Sequence, residues 1–307
     1  MKRKINLVGQ NTLTVSLPSK WVEKNNIKKG DEIELLEEGK NLKLMFGSIK
    51  KESALEFSFK GEDIIPNRAI FGPYLRGYTE IEYYYENSKN YNKLLSSVKK
   101  MIGFDIVEQG KNRVKLAAIT TGNDTNFLKL VNRLCFILKT YAETVKSFLE
   151  KPDNKYSVFL DFELECDRIS LYCRRLINTR EIILDNNSDT VFYNALSLFE
   201  QIGDDLDDII DYFKTDSFKK YRYNNLLAPL FDLLNKSLDE LFVKINDYAT
   251  KKEKIVDPKK YKELASLRND FKKKYFETIK TDAATAVIAV HLFSSINKIK
   301  QISEELF

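Results

Sequence analysis

Histidine is almost missing from this chain of 307 residues, which has one, His291. Ser-His-Asp and Cys-His catalytic sites would both have to use it, and zinc hydrolase sites need more than one histidine. The Glu-x-x-His pairs of di-iron helical bundles cannot be supplied either. His291 lies among apolar residues, and we interpret it as an ordinary packed or surface side chain. The sequence therefore disfavours an enzyme.

Cysteine, proline and glycine are also scarce, at three, six and eleven residues. Cys135, Cys166 and Cys173 occupy apolar helical positions without C-x-x-C spacing, which is typical of buried thiols in a cytoplasmic protein. No apolar run approaches the roughly 18 residues of a membrane-spanning helix, and no signal peptide is recognisable. We therefore expect a cytoplasmic protein without membrane insertion. The net charge of +5 is too small to indicate nucleic acid by itself.

The first segment, residues 1–48, has the pattern of two β-hairpins around a short helix. The predicted elements are Lys4–Val8, Leu13–Leu17, a helix over 20–26 with Ser19 as its N-cap, Glu32–Leu36 and Leu42–Phe46. Fewer than about fifty residues with so few large apolar side chains cannot bury an adequate core alone. We therefore predict a homodimer that forms through this segment.

Several residues of this segment form a recognisable pattern: Gly9, Asn11, Leu13-Val15-Leu17-Pro18, Trp21 and Ile27-Lys28-Lys29-Gly30-Asp31-Glu32. The pattern resembles the AbrB/MazE family of swapped-hairpin domains. The resemblance implies half of an intertwined β-barrel that binds DNA through basic side chains near its first hairpin, here Lys2, Arg3, Lys4 and Lys20. Residues 1–50 carry ten Lys or Arg against six Asp or Glu, an excess that fits phosphate contacts. The alternative is a domain that only dimerises.

The second segment, residues 52–120, predicts a small α/β domain. Its predicted elements are Leu55–Phe59, a helix over Pro66–Tyr78 interrupted at Gly72-Pro73, Glu80–Tyr85, Tyr91–Ile102, Phe104–Val107 and Arg113–Ile119. The run Tyr83-Tyr84-Tyr85 could suggest base stacking, but alternating aromatics in a strand more often pack in a core. We find no catalytic pair here and expect a spacer or coupling role.

The third segment, residues 123–307, predicts six helices from apolar positions that recur every 3.6 residues. Turn residues divide them into two halves of three helices, 124–214 and 217–307. The fold class is therefore a multi-domain α+β protein: half of a swapped-hairpin β-barrel, a small α/β middle domain and a six-helix bundle.

Two helices of the first half carry carboxylates in unusual positions. Glu200, Asp204, Asp207 and Asp211 fall on one stripe, where like charges oppose the helix by roughly 0.2–0.5 kcal/mol per pair. Glu163 and Asp167 lie within the apolar face of the preceding helix, with Arg168 and Arg175 on its opposite side. Such carboxylates are costly unless they are paired or bind a metal. Two interpretations remain open: an internal ion pair with Arg174, or a hard cation held between the helices.

The run Glu200-Gln201-Ile202-Gly203-Asp204-Asp205-Leu206-Asp207-Asp208-Ile209-Ile210-Asp211, within two repeated halves, resembles PhoU, a family of helical regulators of phosphate uptake. The resemblance implies a divalent or trivalent metal ion of unknown identity. Its ligands would be Glu163, Asp167, Glu200, Asp204, Asp207 and Asp208. The second half has Phe293 and Asn297 where the family has acids, so we expect one metal centre per chain, in the first half.

Together the two resemblances predict a DNA-binding transcriptional regulator of phosphate uptake, with the helical bundle as its metal-binding sensor. The alternative is a dimeric adaptor that does not bind DNA and docks on a phosphate transporter ATPase or a signalling kinase.

Overall fold

The computed structural model describes residues 2–38, 41–46, 54–61, 63–119, 126–152, 156–182, 184, 188–215, 221, 223–249, 266, 269, 272 and 283–305. The chain divides into two compact units, residues 1–51 and 52–307. The architecture is α+β, as predicted, with small sheets and long helices. Within the described part of the chain, no helix combines the length and apolar character needed to cross a bilayer.

The first unit contains two antiparallel hairpins and a short helix. Its elements are β1 (Ile5–Val8), β2 (Thr12–Val15), α1 (Ser19–Lys24), β3 (Ile33–Glu38) and β4 (Asn41–Phe46). Gly9 turns the first hairpin at a φ of 68°, a conformation that glycine adopts without steric cost.

The predicted N-cap of α1 is wrong, because Ser19 is already helical and Pro18 holds the capping position. The Pro18 carbonyl accepts hydrogen bonds from the Trp21 and Val22 amides at 2.9 and 3.0 Å. No side chain makes a capping hydrogen bond at this end of α1.

The second unit begins with a four-stranded sheet and two helices. The elements are β5 (Ala54–Phe59), α2 (Asn67–Leu75), β6 (Glu80–Tyr85), α3 (Lys89–Val98), β7 (Phe104–Gly110) and β8 (Arg113–Ala118). The strand order is β5-β6-β8-β7, with β5 and β6 parallel and the other pairs antiparallel. The predicted β-α-β-α-β-β order is therefore confirmed.

Tyr83 and Tyr85 pack into the core of this sheet, whereas Tyr84 is exposed on the other face. The Tyr83 ring stacks on Phe57 with 5.6 Å between ring centroids. This alternation supports the packing interpretation of the tyrosine run. The outer face carries ion pairs, such as Lys115 Nζ to Glu80 Oε2 at 2.9 Å.

Helix α2 is not interrupted, contrary to prediction, and Pro73 lies inside it. Proline lacks the amide that would bond to the carbonyl four residues earlier, which is that of Ala69. The Tyr83 hydroxyl donates to this carbonyl at 2.9 Å. The hydrogen bond that Pro73 cannot make is thus replaced from the neighbouring strand.

The described residues after β8 are mostly helical. Its helices are α4 (Phe127–Glu150), α5 (Ser157–Asn178), α6 (Ser188–Phe213), α7 (Ala228–Ala249) and α8 (Ala283–Glu305). Helices α4, α5 and α6 pack against one another, α7 packs on α4, and α8 packs on α6 and α7. Turn residues at Asp257-Pro258 and Lys280-Thr281-Asp282 delimit one of the six predicted helices. That helix lies outside the described residues, except for positions 266, 269 and 272.

Helix α5 joins the bundle to the sheet. Leu171 of α5 belongs to the hydrophobic cluster of the sheet, while neighbouring residues of α5 belong to that of the bundle. Arg175, which we expected on the outer side of α5, is instead buried. Its guanidinium donates to the Tyr74 carbonyl and lies 5.0 Å from the Phe104 ring centroid. Long apolar stems let arginine pack in this way.

Gly77 lies against α5 and leaves no room for a side chain. Its φ is +92°, and an added Cβ would approach the Thr179 Cγ2 atom to 2.7 Å. We expect Gly77→Ala to lower the free energy of unfolding in urea by about 2–4 kcal/mol, from overpacking and backbone strain. Adding Thr179→Ser should recover part of this loss. Serine removes Cγ2 but keeps the hydroxyl that donates to the Arg175 carbonyl at 2.9 Å. An unchanged stability of Gly77→Ala would show that this contact is absent.

Candidate functional site: a basic hairpin and an acidic seam

The first hairpin presents an exposed apolar face. The register pairs Ile5 with Val15 and Leu7 with Leu13, so these four side chains share one face. They are 47% to 69% exposed. None of the first-unit residues whose exposure is described is buried. An exposed aliphatic cluster of this kind marks an interaction surface.

The predicted DNA-binding residues lie at one end of the same hairpin. Ile5 pairs with Val15 at the open end of the hairpin. Lys4 and the segment that leads into α1 therefore start from the same end. Lys2, Arg3, Lys4 and Lys20 are all exposed. Residues 1–22 contain these four basic residues and no acidic residue, since Glu23 is the first acid in the sequence.

In the second unit, the carboxylates of α5 and α6 form an acidic seam, defined as Glu163, Asp167, Glu200, Asp204 and Asp207. Asp167 is buried, and the others range from partly buried to exposed. The seam follows from the helical spacing, since residues four apart lie on one face.

Lys100, in the turn after α3, reaches the α5 side of the seam. Its Nζ atom lies 2.9 Å from Glu163 Oε1 and also donates to Asp167 Oδ2. Burial opposes its charge, but the hydrogen bonds to Asp167 and Glu163 raise the pKa of Lys100 above its ordinary value. An ion pair was one of the two interpretations from the sequence, but the partner of these acids is Lys100 and not Arg174.

Arg174 pairs instead with the α6 side of the seam. Its Nη1 atom donates to Glu200 Oε2 at 3.0 Å, and its guanidinium carbon lies 4.8 Å from the Tyr193 ring centroid. Stacking and pairing together hold this guanidinium in place.

The seam keeps an excess of negative charge. Burial and the neighbouring Asp167 carboxylate raise the pKa of Glu200 to about 7, despite Arg174. Desolvation and the charges of Asp167 and Glu163 raise the pKa of Asp204 to about 6. In both groups desolvation is the largest cause of the raised pKa, and repulsion from the neighbouring carboxylates adds to it.

The two remaining predicted ligands, Asp207 and Asp208, point toward different neighbours. Asp207 Oδ1 accepts a hydrogen bond from the Tyr141 hydroxyl at 3.3 Å, within the seam. Asp208 turns toward α8, where its Oδ2 atom lies 3.6 Å from His291 Nδ1. The structure therefore brings five of the six predicted ligands along one seam and places Asp208 at its edge.

Asp205, which belongs to the acidic run but was not among the predicted ligands, is buried between α6 and α8. Its carboxylate accepts from Lys298 Nζ at 2.6 Å and Ser295 Oγ at 3.0 Å, and lies 3.6 Å from His291 Nδ1. Burial works against its ionisation, but His291 and Lys298 hold the pKa of Asp205 below its ordinary value. The sequence contains a signal for this burial, because helical spacing places Asp205 on the same face as the apolar residues Ile202, Leu206 and Ile209.

The seam does not offer a metal site as it is arranged. Among the residues that the structure describes, no group of three or more His, Cys, Asp or Glu side chains could hold a metal ion. The donor set, all carboxylate oxygens, suits a hard cation, but the Lys100 ammonium already lies between Glu163 and Asp167. The metal ion stays a prediction.

Comparison with protein families finds one match. Residues 8–54 match the family described as antidote-toxin recognition MazE, bacterial antitoxin. The N-terminal segment contains a MazE/AbrB-like domain. Comparisons with curated proteins and with solved structures find no match.

The raised pKa of Glu200 predicts a pH-dependent stability. Between its ordinary pKa of 4.5 and its native value of about 7, the folded state binds the proton more tightly than the unfolded state. Stability therefore falls as pH rises through this window. Urea titrations give the free energy of unfolding of Glu200→Gln and of the unmodified protein. The value for Glu200→Gln minus that for the unmodified protein should be about 1–3 kcal/mol larger at pH 8 than at pH 4.

The matched control is Glu143→Gln, at an exposed position of α4. It makes the same carboxyl-to-amide change outside the seam, so its effect at each pH is subtracted from that of Glu200→Gln. A Glu200→Gln gain no larger than the change in this control would contradict the raised pKa of Glu200.

Proposed function

We propose that this protein is a dimeric, DNA-binding transcriptional regulator of phosphate uptake, with its helical bundle as the sensory part. The observation that carries the proposal is the MazE/AbrB-like first unit, whose apolar hairpin face is uncovered and whose basic side chains share one end.

Dimer formation is supported by the exposure of the first unit, in which no residue whose exposure is described is buried. Burying an aliphatic side chain contributes about 1.5–3 kcal/mol of favourable free energy. A dimer that buries the exposed side chains of Ile5, Leu7, Leu13 and Val15 would gain this contribution, which a single copy lacks. A second copy of the same hairpin offers a matching surface, since a two-fold interface is self-complementary.

DNA binding is supported by where the charges lie. Lys2, Arg3, Lys4 and Lys20 are exposed and lie at one end of the hairpin, and a dimer doubles their number. Phosphate contacts from lysine and arginine supply most of the sequence-independent affinity for DNA. The acids of the first unit begin only at Glu23, beyond this end.

The role in phosphate uptake rests on the PhoU resemblance of the bundle. The acidic seam is the part of the bundle best suited to receive a signal, because its carboxylates are partly desolvated and short of counter-charge. A coupling of about 1–3 kcal/mol between bundle and hairpin would change DNA affinity 5- to 150-fold.

A second candidate is a dimer whose partner is a protein. The matched family is named for recognition of a toxin, and the predicted transporter ATPase or signalling kinase would be partners of this kind. This candidate predicts no affinity for DNA.

The dimer can be tested with two neighbouring substitutions. Leu13 lies on the apolar face, opposite Leu7, whereas Thr14 pairs with Asn6 and points the other way. We expect Leu13→Glu to be a monomer in analytical ultracentrifugation at micromolar concentration and Thr14→Glu to remain a dimer. A monomeric unmodified protein would contradict the proposal.

DNA binding can be tested by fluorescence anisotropy with the gene's own upstream duplex and a scrambled duplex. Replacing Lys2, Arg3 and Lys4 by glutamine should lower affinity at least tenfold. It should also reduce the slope of log K against log salt by about one per lost phosphate contact.

The matched control replaces Lys24, Lys28 and Lys29 by glutamine. It makes the same change in charge at exposed positions of the same unit. Equal losses in both triple variants would indicate a general charge effect. No binding by a folded dimer would favour the second candidate.

A further inference from the structure

The four-stranded sheet of the second unit has two edges that differ in how well they are protected. Among the described strands, β5 and β7 each pair with a single neighbour. Strand β7 has a bulge at Val107, where its register with β8 shifts between Ile106 and Glu108. It also exposes the charged side chains of Asp105 and Glu108. Bulges and charges are common means by which proteins keep an edge strand from pairing further.

The β5 edge is regular by comparison. Strand β5 pairs with β6 without a register shift from Ala54 to Phe59. It contains no proline, and Glu56 is its single charged residue. On its core-facing side Leu55, Phe57 and Phe59 are only partly buried. A regular edge strand with incompletely covered apolar side chains is a template for pairing with another strand.

The sequence of β5 is complementary to itself. We consider two copies that pair antiparallel about a two-fold axis through Phe57. Leu55 then lies opposite Phe59 of the partner subunit on the core-facing side. On the outer side, Glu56 lies opposite Ser58 of the partner subunit. A shift of two residues in one direction would oppose Glu56 to its own copy, which is destabilising, and a shift in the other direction would leave Leu55 opposite a residue outside the strand.

A short connection joins β5 to the unit that is proposed to dimerise. Strand β4 ends at Phe46 and β5 begins at Ala54, so seven residues lie between them. A chain of this length reaches about 25 Å when fully extended. Short connections give a second contact an effective concentration in the roughly millimolar range. A strand pair too weak to form between separate chains can therefore form within the dimer.

We propose that β5 is a second dimer interface, in which two copies of the strand pair antiparallel and join the two four-stranded sheets into one continuous sheet. The partner at this edge is a second copy of the chain. The inference rests on the proposed dimer of the first unit, and it is independent of DNA binding and of a role in phosphate uptake.

The first test measures the dimer dissociation constant of the full-length protein by analytical ultracentrifugation over a dilution series. Ser58→Glu places a negative charge opposite Glu56 of the partner subunit, twice in each dimer. Because like charges directly opposite one another are destabilising, we expect the dissociation constant to rise about two- to tenfold. Ser58→Lys places the opposite charge there and should not raise it. Adding Glu56→Lys to Ser58→Glu should restore the original value.

The matched control is Gln109→Glu, which adds the same charge at an exposed position of the other edge strand, β7. It should leave the dissociation constant unchanged. Ser58 and Glu56 are both exposed, so their variants should remain folded, which circular dichroism checks.

A short bismaleimide cross-linker provides a second measurement. The three natural cysteines are buried and should not react. In the proposed register the two Ser58 positions are diagonal neighbours, about 7–8 Å apart. Ser58→Cys should therefore be cross-linked at least tenfold faster than Gln109→Cys. Adding Leu13→Glu, which disrupts the apolar face of the first hairpin, should abolish the difference at micromolar concentration.

Two results would overturn the proposal, and they differ in what they imply for the first unit. A dimeric unmodified protein with an unchanged dissociation constant in Ser58→Glu and no cross-link in Ser58→Cys would exclude the β5 interface and leave the hairpin dimer intact. A monomeric unmodified protein would exclude both.

Discussion

Helix α5 packs into two hydrophobic cores at once, and the structure of the second unit depends on this double packing. One part of its surface packs against α4 and α6, and Leu171 enters the core of the sheet. A helix with two packed faces has little surface left for ordinary charged residues. Two of its charged side chains are paired across the junction: Arg175 with the Tyr74 carbonyl of α2, and Asp167 with Lys100. A buried charge without a partner would be strongly destabilising.

Local pattern was enough to predict most of the elements. Apolar periodicity gave the strands of the first unit, the β-α-β-α-β-β order and the described bundle helices, because each signal is contained within one element. The seam was predictable for the same reason, since the spacing of Glu163 and Asp167 already places them on one face. Pro73 was misjudged because the hydroxyl that compensates for it belongs to Tyr83 on another strand. Nothing within the helix itself records this compensation.

The partners of the seam could not be predicted, because they come from distant parts of the chain. Lys100 precedes Glu163 by 63 residues, and the two meet only after the sheet has packed on α5. Periodicity shows which side of a helix a residue occupies, but not what lies opposite. Arg174 was assigned to the wrong carboxylates for this reason. Arg175 was placed on the outer face because the sequence does not show that a second layer covers α5 there.

The two units share one physical feature, which is that each leaves an interaction incomplete. The hairpin exposes Leu7 and Leu13. In the seam, ionisation of Glu200 lowers the stability of the fold, because its pKa is raised in the folded state. Apolar residues in place of a buried ionic cluster are often neutral or stabilising. Stability alone therefore does not account for a carboxylate seam beside a packed helix junction. Lys100 and Arg174 pair with only part of the seam, and Lys100 comes from the turn between α3 and β7, so the charge balance of the seam depends on contacts between elements and not on any one helix.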